Sequence, residues 1–492
     1  MTRARRSSLV VVAAAALAAG AAHAQTLTAC RVPGLRNSVQ CGELQRLLDP
    51  ARPDGPKIAV HYVVVPAMAR RKLPDPVFLL AGGPGQSAID VGPQAFALFS
   101  RLNTRRDIVF VDQRGTGRSA PLTCDDARHE TLAEQADPDR QLKQLMQCKA
   151  ALTQRPYIRA ESDLGFFTTT LAMQDLDAVR AQLGALRINL VGISYGTRAA
   201  LEYMRQFPTH VRRSVLDSVA PPDMVLPASF STDSQAAFDA MLRACEQQAA
   251  CAKTYPRLRA DWAALLAGLP RAVTAAQPLT GKTEHFTLTR DMVLSAVRGA
   301  LYSPSATAAL PAAITEAAAG RVDALVGVGA LLSSRKGIQL ATGMHFSVVC
   351  AEDAPRLDEA ADKPGADFGT DHAALYRRVC AQWPRGAVPA DFYKVPASPV
   401  PTLLFSGGAD PATPPRHGAR IAAALGPTAQ HVVVPNAGHS VLGVGCARDL
   451  LFRFIDEADD QAASALDASC VKAIPRPGVF VPMSNTTEAA TK

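Results

Sequence analysis

The sequence predicts an α/β protein with a mostly parallel central sheet and an inserted helical cap. Short apolar runs bounded by Gly, Pro and Asp alternate with segments of helical periodicity, which is the pattern of strands joined by crossover helices. The chain has 492 residues, whereas a single hydrophobic core stops growing at about 250 to 300 residues. We therefore expect a core domain that carries a large insertion.

Seven apolar runs mark the predicted strands. A helical pattern between Leu171 and Leu183 ends at Gly184, a common C-terminal stop, and leads into the fourth of these strands. The predicted strands cover residues 58–65, 77–80, 108–111, 188–191, 215–216, 402–405 and 432–434.

The character of the chain changes after residue 220. Ala-rich helical stretches such as 238–250 and 311–319 dominate there, and strong strand signals fade until about residue 396. The predicted organisation is an export signal at residues 1–24, a first part of the core at 25–220, a helical cap at 221–395 and a second part of the core at 396–492.

The N-terminus has the three parts of an export signal. Three arginines precede an apolar run at residues 9–19, and Ala22-His23-Ala24 supplies a small-x-small cleavage site. We expect cleavage after Ala24 and a periplasmic or secreted protein. The run is too short to span a bilayer, so no stable membrane anchor is expected. Arg5 and Arg6 leave the twin-arginine route open, although the cysteines favour the general secretory route.

The ten cysteines form five couples of sequence neighbours. An even number of cysteines in an exported chain favours disulfides, and pairing between neighbours is one of the connectivities that the sequence allows. A zinc site is the alternative, but no C-x-x-C spacing is present, so no metal is expected. The couples are Cys30/Cys41, Cys124/Cys148, Cys245/Cys251, Cys350/Cys380 and Cys446/Cys470.

Charge argues against one class of partner. The formal net charge is +8, and the basic residues are scattered without a basic run or an interleaved aromatic stripe. Nucleic acid is therefore not an expected partner. The glycine-rich loop at residues 82–85 lacks a Walker lysine and the dinucleotide spacing, so no cofactor is expected either.

Residues 189–200 combine an apolar strand, a tight turn and a helix start around Ser194. This is the G-x-S-x-G nucleophile elbow in its required context. Gly192 and Gly196 are needed because a side chain at either position would crowd the neighbouring strand and helix. The helix N-terminus favours developing negative charge, so we expect Ser194 to be the nucleophile of an α/β-hydrolase fold.

A serine nucleophile needs a base, and this fold supplies its triad in the chain order Ser, acid, His. Asp410 follows the predicted strand 402–405 through a glycine turn, and His439 follows the strand 432–434. We expect Asp410 to orient His439 and stabilise its imidazolium, and His439 to move the Ser194 proton.

Acyl transfer also needs hydrogen-bond donors for the oxyanion. The amide after the nucleophile belongs to Tyr195, and the loop after the second predicted strand offers Gly83, with Gly82 as the alternative. Glycines suit this task because they let backbone N–H groups approach a substrate closely.

Five motifs together resemble the proline iminopeptidase and tripeptidyl aminopeptidase family of serine peptidases. Ala81 and Tyr195 depart from the smaller cytoplasmic iminopeptidases, which carry His and Trp there. The length, the export signal and the turn at residues 410–414 are more similar to the secreted tripeptidyl branch. The resemblance implies removal of amino acids or short peptides from free N-termini. The motifs lie at residues 82–85, 112–119, 192–197, 410–414 and 438–439.

In this family, acidic side chains of the cap region bind the ammonium group of the substrate. The resemblance therefore points to Glu352 and Asp353 as substrate-binding residues, and a solvated loop is the alternative reading of two adjacent carboxylates. Two other functions stay open from the residues alone. One is a carboxylesterase or amidase that acts on small apolar esters or amides with the same triad, and the other is an inactive binding module.

Overall fold

The computed structural model describes residues 27–124, 130–333 and 339–481. The predicted export signal at residues 1–24 lies outside them. The strands are β1 Thr28–Cys30, β2 Val39–Leu47, β3 Lys57–Val65, β4 Val77–Leu80, β5 Ile108–Val111, β6 Ile188–Ile193, β7 Val211–Asp217, β8 Arg271–Ala276, β9 Thr283–Leu288, β10 Thr402–Gly407 and β11 Ala429–Val434.

The helices alternate with the strands in the core and cluster between β7 and β10. They are α1 Ala88–Phe99, α2 Leu132–Gln135, α3 Pro138–Leu152, α4 Thr169–Gln182, α5 Tyr195–Gln206, α6 Leu226–Gln247, α7 Ala249–Thr254, α8 Leu258–Ala267, α9 Arg290–Leu301, α10 Pro304–Thr307, α11 Leu310–Ala318, α12 Asp323–Ser333, α13 Thr342–Glu352, α14 Asp371–Cys380, α15 Pro415–Leu425, α16 Ala447–Asp456 and α17 Asp460–Ala463.

Nine strands form one sheet in the order β1-β2-β3-β5-β4-β6-β7-β10-β11. All neighbours from β5 to β11 are parallel, whereas β1, β2 and β3 pair antiparallel at one edge. The predicted α/β class with a mostly parallel sheet is confirmed. Because the parallel strands all end at the same edge of the sheet, residues that follow β6, β10 and β11 lie close together there.

The central strands are buried on both faces, which explains why their sequences are uninterrupted apolar runs. In β4, Val77 and Leu79 join the cluster on one face, and Phe78 and Leu80 join the cluster on the other, as the two-residue period of a strand requires. Helices α1 and α16 cover the first face, and α4, α5 and α15 cover the second.

The predicted strands all fall inside observed ones, and β4 and β5 have the predicted bounds. Strands β1 and β2 were not predicted. Most residues of β2 are only partly buried and many are polar, so the segment lacks the apolar run of a central strand.

The segment between β7 and β10 holds α6 to α14 and has a hydrophobic cluster of its own around Phe238 and Trp262. Helices dominate this segment as expected, but it also contains two strands that were not predicted, because β8 and β9 form an antiparallel hairpin. These short strands expose alternate residues, which weakens their sequence signal. Helices α6 to α14 lie inside the range 221–395 predicted for the cap, and the domain boundaries stay a prediction.

Five disulfides join the five couples of sequence neighbours, so the expected pairing is confirmed. Cys350–Cys380 connects α13 to α14, and Cys245–Cys251 connects α6 to α7. Within the described residues no cysteine is free. In that same part of the chain, no helix is long and apolar enough to cross a membrane, and no cluster of three His, Cys, Asp or Glu side chains could hold a metal ion.

Candidate active site

Ser194 lies in the turn between β6 and α5, in a backbone conformation that is rare for a residue with a side chain. Its φ is 56° and its ψ is −124°, a strained combination of the kind found at functional turns. A side chain at Gly192 would overlap the Gly196 carbonyl, and one at Gly196 would overlap the Leu80 carbonyl. The steric reason predicted for both glycines is therefore present in the structure.

Asp410 follows β10 and is buried, with 1% of its surface exposed. Its Oδ1 accepts hydrogen bonds from the backbone N–H groups of Ala412 at 2.8 Å and Thr413 at 2.9 Å. Its Oδ2 accepts from Thr413 Oγ1 at 2.8 Å and lies 2.8 Å from His439 Nδ1. Burial alone would raise the pKa of Asp410, but the His439 charge and these hydrogen bonds lower it to about 2, so Asp410 is ionised at neutral pH.

His439 follows β11, and its ring is fixed from several directions. Its backbone N–H donates to the Tyr302 carbonyl at 3.0 Å, and the Tyr302 ring packs edge-on against the imidazole with centroids 4.9 Å apart. Burial would lower the pKa of His439, but the charge and hydrogen bond of Asp410 raise it above the usual value. With Nδ1 bound to Asp410, Nε2 is the nitrogen available for proton transfer.

The end of β7 anchors the loop that follows His439. Asp217 is buried, and its carboxylate accepts the N–H groups of Val441 at 2.9 Å and Leu442 at 3.1 Å. Its carbonyl accepts the Ser194 N–H at 2.9 Å. One residue therefore links the serine turn to the histidine loop. The role of Asp217 was not predicted, because it ends a strand whose apolar run in the sequence is only two residues long.

The glycine-rich loop after β4 lies against the serine turn. A side-chain carbon built on Gly82 would approach Ser194 Cβ to 3.3 Å. The Gly82 amide donates to Gln86 Oε1 at 3.1 Å, whereas the Gly83 amide has no hydrogen-bond partner among the described residues. Tyr195 is the first residue of α5, where a backbone N–H has no partner within the helix. The unpaired Gly83 amide is the observation that bears on the choice between Gly83 and Gly82, and the oxyanion roles of Gly83 and Tyr195 stay predictions.

Glu352 and Asp353 lie at the end of α13, behind Tyr195, and are buried at 1% and 0% exposure. Both carboxylate oxygens of Asp353 accept hydrogen bonds from the Arg198 guanidinium, at 3.0 and 3.1 Å. Glu352 accepts from the Thr169 N–H at 2.8 Å and lies 3.5 Å from Arg198. The structure places the predicted substrate-binding pair in a closed ion-pair network rather than in a solvated loop.

The network is short of positive charge, because Arg198 faces both carboxylates. Burial raises the pKa of Glu352 to about 7, although Arg198 and the hydrogen bond from Thr169 oppose the rise. The network also touches the serine turn, since Thr169 Oγ1 lies 2.7 Å from the Tyr195 hydroxyl. A substrate amine would have to reach this buried network in order to bind Glu352 or Asp353. The predicted binding role of the two residues stays a prediction.

The loop at residues 112–119, to which no catalytic role was assigned, is held by hydrogen bonds within the loop and to neighbouring segments. Asp112 accepts from Ser87 Oγ at 2.6 Å and from the Arg118 N–H at 3.1 Å. Arg114 donates to both oxygens of Asp175, at 2.7 and 3.0 Å. These contacts fit a bracing function beside the site.

The fold and the matched sequences define the class of this protein, which is a serine hydrolase of the α/β-hydrolase fold. Residues 75–259 match the family model described as alpha/beta hydrolase fold, and residues 366–470 match the model described as TAP-like protein. Each model matches less than half of the chain, and together the two matches confirm the resemblance that the sequence motifs predict.

The chain is also similar to two curated relatives. It is 27% identical over 409 residues to tripeptidyl aminopeptidase of Streptomyces lividans, which covers 77% of this chain and 74% of the relative. It is 26% identical over 423 residues to serine protease Hip1 of Mycobacterium bovis, which covers 80% and 79%. A solved structure, a serine hydrolase from Cycloclasticus zankles, aligns over 85% of this chain and 98% of its own at 12% identity and a TM-score of 0.37.

Proposed function

We propose that this protein is an exported serine aminopeptidase that cleaves peptide bonds near free N-termini and releases tripeptides, dipeptides or prolyl residues. The observation that carries the proposal is the Asp410–His439 pair, 2.8 Å apart, on the sheet edge that also presents Ser194. The similarity to tripeptidyl aminopeptidase over 77% of the chain favours a peptide substrate.

The proposed reaction proceeds through an acyl-enzyme. His439 takes the Ser194 proton as the hydroxyl attacks the scissile carbonyl, and the amides of Gly83 and Tyr195 bind the oxyanion. His439 then protonates the leaving amine, and a water molecule attacks the acyl-enzyme through the same base. Asp410 stays ionised and stabilises the imidazolium at each step.

The proposed aminopeptidase needs a partner for the ammonium group of its substrate, and we assign it to the Glu352 and Asp353 pair. Two carboxylates share Arg198, so one further cation would balance the network. Of the two, Glu352 is the better candidate. Both oxygens of Asp353 are bound by the Arg198 guanidinium, whereas those of Glu352 accept from the uncharged N–H and hydroxyl of Thr169, and Arg198 lies 3.5 Å away.

Export is also part of the proposal. Residues 1–24 carry the sequence pattern of a signal with cleavage after Ala24. The five disulfides are consistent with an oxidising compartment such as the periplasm or the extracellular space. N-terminal sequencing of the protein recovered from the culture medium or the periplasm tests this part, and an intact N-terminus there would contradict it.

A substrate panel with a serine variant tests the activity. Free-amine peptide anilides are compared with the same anilides carrying an N-acetyl group and with short-chain esters. We expect turnover of the free-amine set, and Ser194→Ala should lower kcat by a factor on the order of 10⁴ to 10⁶. Turnover of esters alone, at high kcat/KM, would replace the aminopeptidase proposal with the carboxylesterase alternative.

A further inference from the structure

Arg298 of α9 lies beside the candidate active site and is held by aromatic side chains. Its Nη2 donates to the Tyr302 hydroxyl at 2.9 Å. The guanidinium carbon lies 4.1 Å from the centre of the Phe230 ring and 5.4 Å from that of Tyr302. These contacts fix the position of the guanidinium without neutralising its charge.

The charge of Arg298 has no acidic partner in the described part of the chain. Within the described residues no salt bridge joins Arg298 to an Asp or Glu, and its Nε is shielded from solvent without a hydrogen-bond acceptor. Other arginines of the same region are occupied: Arg290 donates to the Asp367 carbonyl, and Arg416 pairs with Asp233. A buried donor with no acceptor is costly, so Arg298 is equipped for an anionic ligand.

The position of Arg298 relative to His439 indicates which part of a substrate it faces. Tyr302 connects Arg298 to His439. Its hydroxyl accepts a hydrogen bond from Arg298, and its ring and carbonyl contact His439. The histidine of a serine hydrolase protonates the leaving group. The segment that departs with that group therefore lies on the histidine side of the scissile bond, where Arg298 stands.

The surroundings suit the end of a short chain. Tyr376 and His372 form an aromatic wall with Phe230, since His372 lies 5.5 Å from the Phe230 ring and 5.2 Å from the Tyr376 ring. Burial and the neighbouring charges of Arg298 and His345 lower the pKa of His372 to about 3, so at neutral pH the guanidinium is the cation of this wall.

We propose that Arg298 binds the C-terminal carboxylate of the leaving segment, so that the enzyme selects short peptides with a free C-terminus. The inference rests on the proposed function, because it assumes that the leaving group is a peptide. Arg298 is a specificity-determining residue in this proposal and takes no part in proton transfer. A guanidinium matches a carboxylate through two parallel hydrogen bonds, which would also satisfy its unpaired donors.

Matched pairs of short peptides test the proposal. Each pair consists of a peptide with a free C-terminal carboxylate and the same peptide with a C-terminal amide, extending one to three residues beyond the cut. For the wild type we expect kcat/KM to favour the acid by about ten- to a hundredfold at one length, mainly through KM. Arg298→Gln should lower kcat/KM for the acid far more than for the amide, so that the preference is lost, and Arg298→Lys should restore part of it.

Arg290→Gln is the matched control, because Arg290 lies on the same helix and already has a partner; its acid preference should equal that of the wild type. Equal hydrolysis of acids and amides by the wild type would overturn the proposal. So would a fall of both substrates to the same extent in Arg298→Gln. The wild type could instead prefer only those amidated peptides that carry Asp or Glu next to the cut. Arg298 would then bind a side-chain carboxylate, and the assignment to the C-terminal carboxylate would be overturned.

An ester assay separates failure of this proposal from failure of the proposed function. Hydrolysis of 4-nitrophenyl acetate needs Ser194 but no peptide, and a dipeptide acid and its amide can be compared as inhibitors. If Arg298 binds a carboxylate, the acid inhibits the wild type more strongly than the amide and loses this advantage in Arg298→Gln. Equal inhibition by the two would contradict the proposal even in an enzyme that hydrolyses no peptide.

Discussion

At the carboxyl edge of the sheet, Ser194, Asp410 and His439 each follow a strand by no more than a few residues. In the cap, Phe230, Arg298 and the residues around them come from separate helices that meet only in the folded chain. The candidate active site is thus specified by short local motifs, whereas the site that we propose around Arg298 depends on tertiary packing. This difference suggests that the reaction is set by the core and the choice of substrate by the cap.

We expect the largest loss of activity from a substitution in the core, at Asp410. Asp410→Asn would keep the shape of the side chain but place an amide opposite His439 Nδ1, which favours the wrong tautomer. We expect kcat to fall by about 10⁴. For the wild type, kcat/KM should rise with pH through the raised pKa of His439, because the base acts in its neutral form. Loss of the Asp410 charge should move that inflection to lower pH, as steady-state kinetics from pH 5 to 9 would record.

A second buried Asp–His pair provides the control. His417 Nε2 lies 2.9 Å from Asp233 Oδ2, and both residues are buried. Asp233→Asn should weaken the fold but change kcat far less than Asp410→Asn. Comparable losses in the two variants would mean that Asp410 acts through stability rather than through His439.

The same comparison explains what the sequence could predict. Asp410 and His439 could be predicted as a pair because chain order and strand ends are local signals, and the structure places them 2.8 Å apart. Strands β4 and β5 were found because both of their faces are apolar. Tyr302 acts on His439 through its carbonyl and its ring, and no side-chain pattern marks such a residue. The contact between Arg298 and Phe230 joins residues of two helices far apart in the chain, so no spacing rule predicts it.

The next effect concerns the ion pair that joins core helix α5 to cap helix α13. Asp353→Ala would leave Arg198 buried beside Glu352 alone. Removing one partner of a buried pair typically costs about 3 to 5 kcal/mol, which urea unfolding would measure. Glu246→Ala breaks the exposed pair with Arg259 and should leave the unfolding midpoint unchanged. If the two variants unfold at the same urea concentration, the Arg198–Asp353 ion pair does not hold the cap to the core.

The disulfides of the cap should differ in their contributions according to the loops they close. Cys350–Cys380 spans 30 residues, and Cys245–Cys251 spans 6. Loop-closure entropy gives roughly 3.6 kcal/mol for the first and roughly 2.2 kcal/mol for the second. Urea unfolding of the two double Cys→Ser variants would measure the difference. A larger loss for the shorter loop would show that local packing, and not chain entropy, dominates their stabilisation.

The smallest effect separates the two roles open to Glu352. Glu352→Gln keeps an acceptor for the Thr169 N–H and removes only the charge. If Glu352 binds the substrate amine, kcat/KM for free-amine peptides should fall about ten- to a hundredfold, the value of a charge-assisted hydrogen bond, while N-acetylated substrates are unaffected.

The pH dependence gives an independent check of the same assignment. Because burial raises the pKa of Glu352 to about 7, its carboxylate ionises only as the pH rises through that value, whereas a peptide amine loses its proton above about 8. The preference of the wild type for free-amine over N-acetylated substrates should therefore be greatest between these two values. In Glu352→Gln, the decrease of this preference toward acidic pH should disappear. An equal loss for both substrate classes at every pH would assign Glu352 to the support of Tyr195 through Thr169 and would leave the amine without a partner in this network.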